Sequence, residues 1–211
     1  MENDQGAVTL TAGSLLMRPW GPGDIAALVR AYDDPAMRLW LRSQVADAEE
    51  AARWLDVQRA GWESGDRFGF AVTDTQRDGE LVGHLALKRS GPASDRAEVG
   101  YWTTAAARGR GVAPRALGAL TDWAFLGLGA RAPARLELLH HVDNEASCRV
   151  AEKCGYALAG ILPALPPDHL QGRHLQGRHL HVRHAPGAGV SPAAGRRAES
   201  AGTAGGRATP R

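Results

Sequence analysis

Between residues 68 and 103 three short apolar runs, Phe68 to Thr73 (FGFAVT), Leu81 to Leu87 (LVGHLAL) and Ala97 to Thr103 (AEVGYWT), are separated by polar turns containing Asp78-Gly79 and Gly91-Pro92. Runs of this length bury an apolar face by pairing with one another, so their spacing predicts an antiparallel meander. Helix and strand patterns alternate around it. Leu15 to Trp20 reads as a strand, and Asp24 caps a helix beginning near Ile25. From near Asp47 to Gly65, Ala48, Ala51, Ala52, Leu55 and Gln58 recur at three- and four-residue steps, as on one face of a helix. After the meander, Ala113 to Leu128 places Leu117, Leu120, Ala124 and Leu128 on one stripe, with Pro114 in the first turn where its missing N–H costs little. Arg135 to Val142 then reads as a strand, Asn144 caps a helix running to Cys154 that Gly155 closes, and Ala157 to Leu162 reads as a further strand. The expected fold is α/β (α+β), a mixed, mostly antiparallel central sheet with helices on both faces.

A chain of 211 residues is long enough for one well-buried core. No stretch approaches the roughly eighteen consecutive apolar residues that a spanning helix needs. The opening MENDQGAVTL is acidic and has no basic start followed by an apolar run, so the expected location is cytoplasmic. Cys148 and Cys154 share one short helical stretch without metal-type spacing and are expected to be reduced thiols. The net charge of +2 is unevenly spread: through Asp168 there are 18 basic residues against 22 acidic, whereas residues 169–211 carry 7 Arg against one Glu. A mildly acidic body argues against nucleic-acid binding as the main task, which asks for a basic face on the folded domain.

The segment Arg108-Gly109-Arg110-Gly111-Val112-Ala113 lies between a strand and an amphipathic helix. Glycines there let the chain turn tightly and bring successive N–H groups to one point, and the helix that follows adds unpaired donors and the positive end of its dipole. This is a cradle for an anion such as a pyrophosphate. No Lys-Ser/Thr pair follows, which excludes a Walker loop, and the third glycine of the dinucleotide fingerprint is missing.

Arg108-x-x-Gly111-x-Ala113 resembles the R/Q-x-x-G-x-G/A motif with which the GNAT superfamily grips the pyrophosphate of acetyl-CoA. Downstream, Asn144-x-x-Ser147-x-x-Val150-x-Glu152-Lys153-x-Gly155-Tyr156 resembles the family's N-x-x-S-x-x-v-x-E-K-x-G-F signature. The resemblance covers roughly residues 14–162 and is closest to the Rim-type branch, which acetylates protein N-terminal amines, including those of ribosomal proteins. It implies an acetyl-CoA-dependent N-acetyltransferase that moves the acetyl group to a primary amine by direct attack in a ternary complex. Acetyl-CoA is the co-substrate and no metal is implied.

In the family two strands splay apart so that the pantetheine arm bonds to free backbone edges. These edges fall here at Tyr101, Trp102 and Thr103 and at Leu138 to His140. The backbone of Arg108, Gly109, Arg110, Gly111, Val112 and Ala113 would hold the diphosphate, with Asn144 as a further cofactor contact. Alternation in AEVGYWT places Glu98, Gly100 and Trp102 on one face, and in similar enzymes a carboxylate at this position drains a proton from the amine. Glu98 is therefore the candidate base, and Ser147 the candidate acid beside the thiol of CoA. Each also has a plainer role open to it, Glu98 as a surface carboxylate and Ser147 as a helix-start hydroxyl bonding only backbone. Trp40, Leu41 and Arg42 lie where the family builds one wall of the acceptor site, although Trp and Leu are more often core. His140 and His141 close a strand on opposite faces, where a buried, hydrogen-bonded histidine is the simpler reading than a base.

The C-terminal part departs from the family. HLQGR occurs twice, at residues 169–173 and 174–178, and from Ala185 the chain is almost wholly Gly, Ala, Pro, Ser, Thr and Arg. The expected organisation is therefore an acetyltransferase domain over 14–162, an altered strand region over 163–184 and a disordered tail over 185–211. A typical member ends in a strand hairpin, and its replacement would leave one sheet edge exposed. Only His179 to His184 retains a strand-like pattern, with Leu180 and Val182 on one side. The histidines at 169, 174, 179, 181 and 184 set no common helical face and are not expected to bind metal. The competing functional readings are an acyl-CoA-binding protein without catalysis and an RNA-associated protein that uses the basic tail.

Overall fold

A computed structural model describes residues 8–41, 44–89, 91, 94–163 and 177–187. The strands are β1 (Leu10–Ala12), β2 (Leu15–Pro19), β3 (Arg67–Asp74), β4 (Glu80–Arg89), β5 (Arg96–Thr103), β6 (Arg135–His141), β7 (Ala157–Leu162) and β8 (Arg178–His184). The helices are α1 (Ile25–Tyr32), α2 (Pro35–Trp40), α3 (Ala48–Ser64), α4 (Val112–Leu126) and α5 (Glu145–Lys153). The strands form one eight-stranded sheet in the order β1-β2-β3-β4-β5-β6-β8-β7. Only β5 and β6 pair in parallel, joined by the crossover through α4, and the other neighbours are antiparallel.

Alternation along each strand divides the core into two layers. Phe68, Phe70 and Val72 of β3, Leu85 and Leu87 of β4, Val99 of β5 and Leu136 and Leu138 of β6 pack on one face against Leu117, Leu120 and Ala124 of α4 and Ala151 of α5. On the other face Ala71 and Trp102 meet Leu28, Tyr32, Met37 and Ala51 of α1 to α3. Tyr156 reaches into the α4 layer, where its hydroxyl pairs with that of Thr121 at 2.7 Å, so a phenol lies among apolar side chains without a lost hydrogen bond. Among the described residues no helix is long and apolar enough to cross a membrane.

Three features depart from the sequence reading. The connection after α1 contains a helix of its own, α2: the Asp34 carboxylate accepts from the Ala36 N–H at 3.0 Å, and Pro35 occupies the first helical position. A short strand, β1, folds back on β2. The third departure is a correction. Residues 178–184 do form a strand, and it lies between β6 and β7, paired with β6 from Arg135↔His184 to His141↔Arg178 and with β7 over Ala157 to Leu162. The closing hairpin is therefore present, and the exposed edge expected from its loss does not arise. His179 and His181 take one face of this strand, and Leu180 and Val182 the other, so the two-residue period outweighs an unusual composition. Of the repeated HLQGR, all but Gly177 and Arg178 lies outside the described residues, as do Arg42 and the tail from residue 188.

Two stability outcomes follow. Leu120→Ala, at a fully buried position of α4, is expected to cost about 2 to 5 kcal/mol in urea unfolding. Ending the chain after Pro163 removes an interior strand, and the sigmoidal thermal transition seen by circular dichroism is expected to disappear.

Candidate functional site

The parallel ladder between β5 and β6 runs from Arg96↔Arg135 to Val99↔Leu138 and stops there. β5 continues to Thr103, paired on its other side with β4, and β6 continues to His141, paired on its other side with β8. The facing edges over Tyr101 to Thr103 and Leu139 to His141 are thus parted, which leaves main-chain donors and acceptors open to a third, extended molecule. The sequence places this opening at Tyr101 to Thr103 and Leu138 to His140, one residue from where the ladder ends.

The glycine-rich turn follows β5 directly. Gly109 and Gly111 have φ of 74° and 71°, a region in which a Cβ costs energy, and a side chain added at either would meet no atom within 4 Å. Gly111 caps α4 and lies exposed, whereas Val112 is buried and anchors the helix start in the core. The N–H groups at Val112 and Ala113 come too early in the helix to have an i−4 partner, and the dipole of a fifteen-residue helix points its positive end at the same place.

The two arginines of the turn are held by carboxylates distant in sequence. Arg108 pairs with Asp34, the residue that caps α2, and Arg110 bonds the buried Asp74 at the end of β3 at 3.0 Å. Burial pushes the Asp34 carboxyl up, but the Arg108 guanidinium and the Ala36 N–H outweigh it and hold the group below the usual carboxylate range. Asp74 is held low in the same way, by the Ser14 hydroxyl, the Gln76 N–H and Arg110 against its own desolvation. A cleft of about 640 Å³ opens on the α1 side, lined in part by Arg18, Asp24, Asp34, Arg77, Glu80 and Thr104. Its charges largely compensate one another through Arg18–Asp24, Arg77–Glu80 and Arg108–Asp34.

Across the opening, the Asn144 carboxamide oxygen accepts from the Ser147 N–H at 3.1 Å, so this side chain serves first as the cap of α5. Ser147 sits in the first turn beyond it, beside Tyr101. Burial pushes the Tyr101 phenol up to about 12, an effect the Ser147 hydroxyl partly offsets. The two hydroxyls are close enough to interact but do not meet full hydrogen-bond geometry, and the Tyr101 oxygen is otherwise without a partner. Glu98 lies on the opposite face of β5, as its alternation requires, and is half-exposed with its carboxylate 2.7 Å from Lys88 Nζ on β4. The Trp102 side chain packs edge-on against Tyr32 in the α1 to α3 layer, so only its backbone faces the opening. Trp40, at the end of α2, lies against His141 with ring centroids 5.8 Å apart, which brings α2 to the mouth of the opening. Leu41 packs at the edge of the α1 to α3 core.

No local pattern marks Asp34 and Asp74 as partners of the loop arginines, because Arg108 and Arg110 lie 74 and 36 positions from them, and none singles out the Tyr101 hydroxyl. The burial of that hydroxyl depends on Ser147, Cys148 and Cys154, which lie near it only once the chain has folded.

Residues 14–157 match the acetyltransferase (GNAT) domain family. The chain is a GNAT acetyltransferase. Solved structures share the GNAT architecture at low identity. RimL, a ribosomal L7/L12 alpha-N-protein acetyltransferase in complex with coenzyme A, superposes with a TM-score of 0.74 at 21% identity, covering 84% of this chain and 98% of that one. RimJ of Mycobacterium smegmatis in complex with CoA-disulfide gives 0.71 at 23% identity, covering 85% and 87%. The ribosomal-protein-S5-alanine acetyltransferase of Vibrio fischeri gives 0.71 at 16% identity, covering 86% and 99%. A search of curated protein sequences found no match. The neighbours agree with the Rim-type branch suggested by the two motifs, and RimL and RimJ are themselves solved with coenzyme A or its disulfide.

The carboxylates give the site a defined acid response. Asp24, held low by the Arg18 fork and the Gly21 N–H against its own desolvation, joins Asp34 and Asp74 as groups with depressed folded-state pKa values. Their contribution is complete above the unfolded value near 3.9 and is lost as pH falls through the folded values. Urea midpoints are expected to drop between about pH 5 and pH 2, and Asp34→Asn to show a shallower drop than wild type.

Proposed function

We propose that this acetyltransferase acetylates a primary amine presented on a peptide chain, an N-terminal amine, by direct attack on the thioester within a ternary complex. The parting of β5 from β6 carries the reading. The main-chain amides from Arg108 to Ala113 receive the diphosphate, and the freed edges at Tyr101 to Thr103 and Leu139 to His141 receive the extended arm, so that the thioester carbonyl meets backbone N–H groups aimed at its developing negative charge. A phosphate entering the loop competes with Asp34 for Arg108, an exchange that an exposed ion pair permits at little cost. Asn144 supports this arrangement by fixing the start of α5.

Glu98 acts as the base. Lys88, 2.7 Å away, orients its carboxylate on the α1 to α3 face, where a water molecule relays the proton from the incoming ammonium group. Ser147, with the Tyr101 hydroxyl beside it, stands on the α4 and α5 face as donor to the departing thiolate. Base and acid thus lie on opposite faces of the sheet, and the opening between the strands joins them. Trp40 at the end of α2 and Leu41 just after it, with His141 across from Trp40, form the wall against which the acceptor chain lies. The catalytic unit extends through β8, because the edge opposite β5 belongs to a strand that β8 holds in place.

Glu98→Gln is expected to retain acetyl-CoA affinity in titration calorimetry while kcat falls about 100-fold or more. Ser147→Ala should lower kcat about tenfold at unchanged affinity. The assay follows free thiol with a panel of N-terminally free peptides, polyamines and small amines. Unaltered turnover in Glu98→Gln removes that residue from the mechanism, turnover with polyamines alone removes the peptide acceptor, and absence of turnover with every amine leaves a binding protein. Failure of wild type to take up CoA saturably removes the whole reading.

A further inference from the structure

On the α5 side of the sheet, His140, Cys148, His179 and His181 each offer one ligand atom, and all four atoms lie within 4.8 Å of one another. They come from three elements. The β6–β8 register sets His140 directly opposite His179 and Leu138 opposite His181, so the three imidazoles share one face, and the first half of α5 lays Cys148 over them. The Cys148 sulfur is 3.7 Å from His181 Nε2, and the rings of His140 and His181 stack with centroids 5.1 Å apart.

The polar atoms around these rings point to a cation. His181 Nδ1 faces the Tyr156 carbonyl at 3.1 Å, and His140 Nδ1 faces the His141 carbonyl at 2.8 Å. A carbonyl accepts only, so both Nδ1 atoms carry the proton and both Nε2 atoms present a lone pair, the arrangement that backbone carbonyls impose on metal-binding histidines. His140 Nε2 is buried with no hydrogen-bond partner, and so is His179 Nδ1. The lone pair on His140 Nε2, buried and unanswered, is costly unless something electron-poor sits beside it. The Glu152 carboxylate, 3.8 Å from the Cys148 sulfur, adds negative charge at the rim.

We infer that His140, Cys148, His179 and His181 form a site for a divalent zinc ion that ties β8 to β6 and α5. Three imidazoles and one thiolate are a borderline-soft set suited to tetrahedral zinc. Bonds of about 2.0 to 2.3 Å place neighbouring donors about 3.5 Å apart, so the widest pair needs to close by about 1 Å. Binding releases the thiol proton of Cys148 to solvent and leaves a thiolate on the metal. The expectation from sequence that the C-terminal histidines share no face rested on helical spacing. On a strand His179 and His181 do share one, while His184 lies outside the cluster and His169 and His174 lie outside the described residues.

The test uses the full-length, reduced chain stripped with chelator and titrated with Co²⁺ as a probe. One equivalent is expected to bind saturably, with the visible bands of tetrahedral cobalt and a thiolate-to-cobalt charge-transfer band, and to be displaced by Zn²⁺. Cys148→Ser should abolish the charge-transfer band, and His181→Gln should weaken uptake at least tenfold, whereas Cys154→Ser and His184→Asn should bind as wild type does. In wild type one equivalent of Zn²⁺ should raise Tm by about 5 °C and protect Cys148, not Cys154, from alkylation read by mass spectrometry. The alkylation result decides the matter if a variant does not fold. Absence of saturable uptake, uptake without a thiolate band, uptake unchanged in Cys148→Ser, or an unprotected Cys148 in the zinc-loaded chain each overturns the inference.

Discussion

The end of the β5–β6 ladder at Val99 and Leu138 is the constraint on which the rest of this structure depends. A parallel pair inside a mixed sheet is normally paired to its ends, because unpaired main-chain groups in the interior are expensive. Here each strand is anchored on its far side, β5 by β4 through Thr103 and β6 by β8 through His141, so the two diverge without unravelling. The opening is therefore a property of the whole sheet. It depends as much on β8, more than seventy residues further along the chain, as on β5 itself.

Around that opening charge is arranged in two styles. At the glycine-rich turn the positive field comes from main-chain amides and a helix dipole, while the arginines are occupied by Asp34 and Asp74. Along the strands and α5, single polar side chains occupy chosen faces: Glu98 with Lys88 on one side of the sheet, Tyr101 and Ser147 on the other. The division follows from geometry, since backbone donors read shape and extended charge, whereas proton transfer needs an individual group aimed at one atom.

Much of this was legible in the sequence, for reasons that can be named. The meander was legible because tight turns at Asp78-Gly79 and near Gly91 force neighbours in sequence to be neighbours in space. The loop was legible because only glycine sits easily at φ near 70° before a helix, and the fold family because two spaced motifs agreed. The partners of Arg108 and Arg110 were hidden, because contacts across 74 and 36 residues leave no local pattern. β8 was nearly hidden, since alternation over HLHVRH sets histidines where strands usually carry apolar residues. The cluster of His140, Cys148, His179 and His181 needed the strand order itself, which no spacing along the chain reveals.

The strand order carries one more consequence, for the way the molecule comes together. β7 is made before β8 yet sits outside it, so during synthesis β7 emerges with nothing to pair against and β6 with one flank bare. The sheet closes from the inside only when residue 184 is free, as β8 enters between two strands already formed. Contacts so distant in the chain are slow to gather, and until they do two unpaired flanks stay open to neighbouring chains. For this protein the hazardous interval on the ribosome therefore falls late, after most of its core residues already exist.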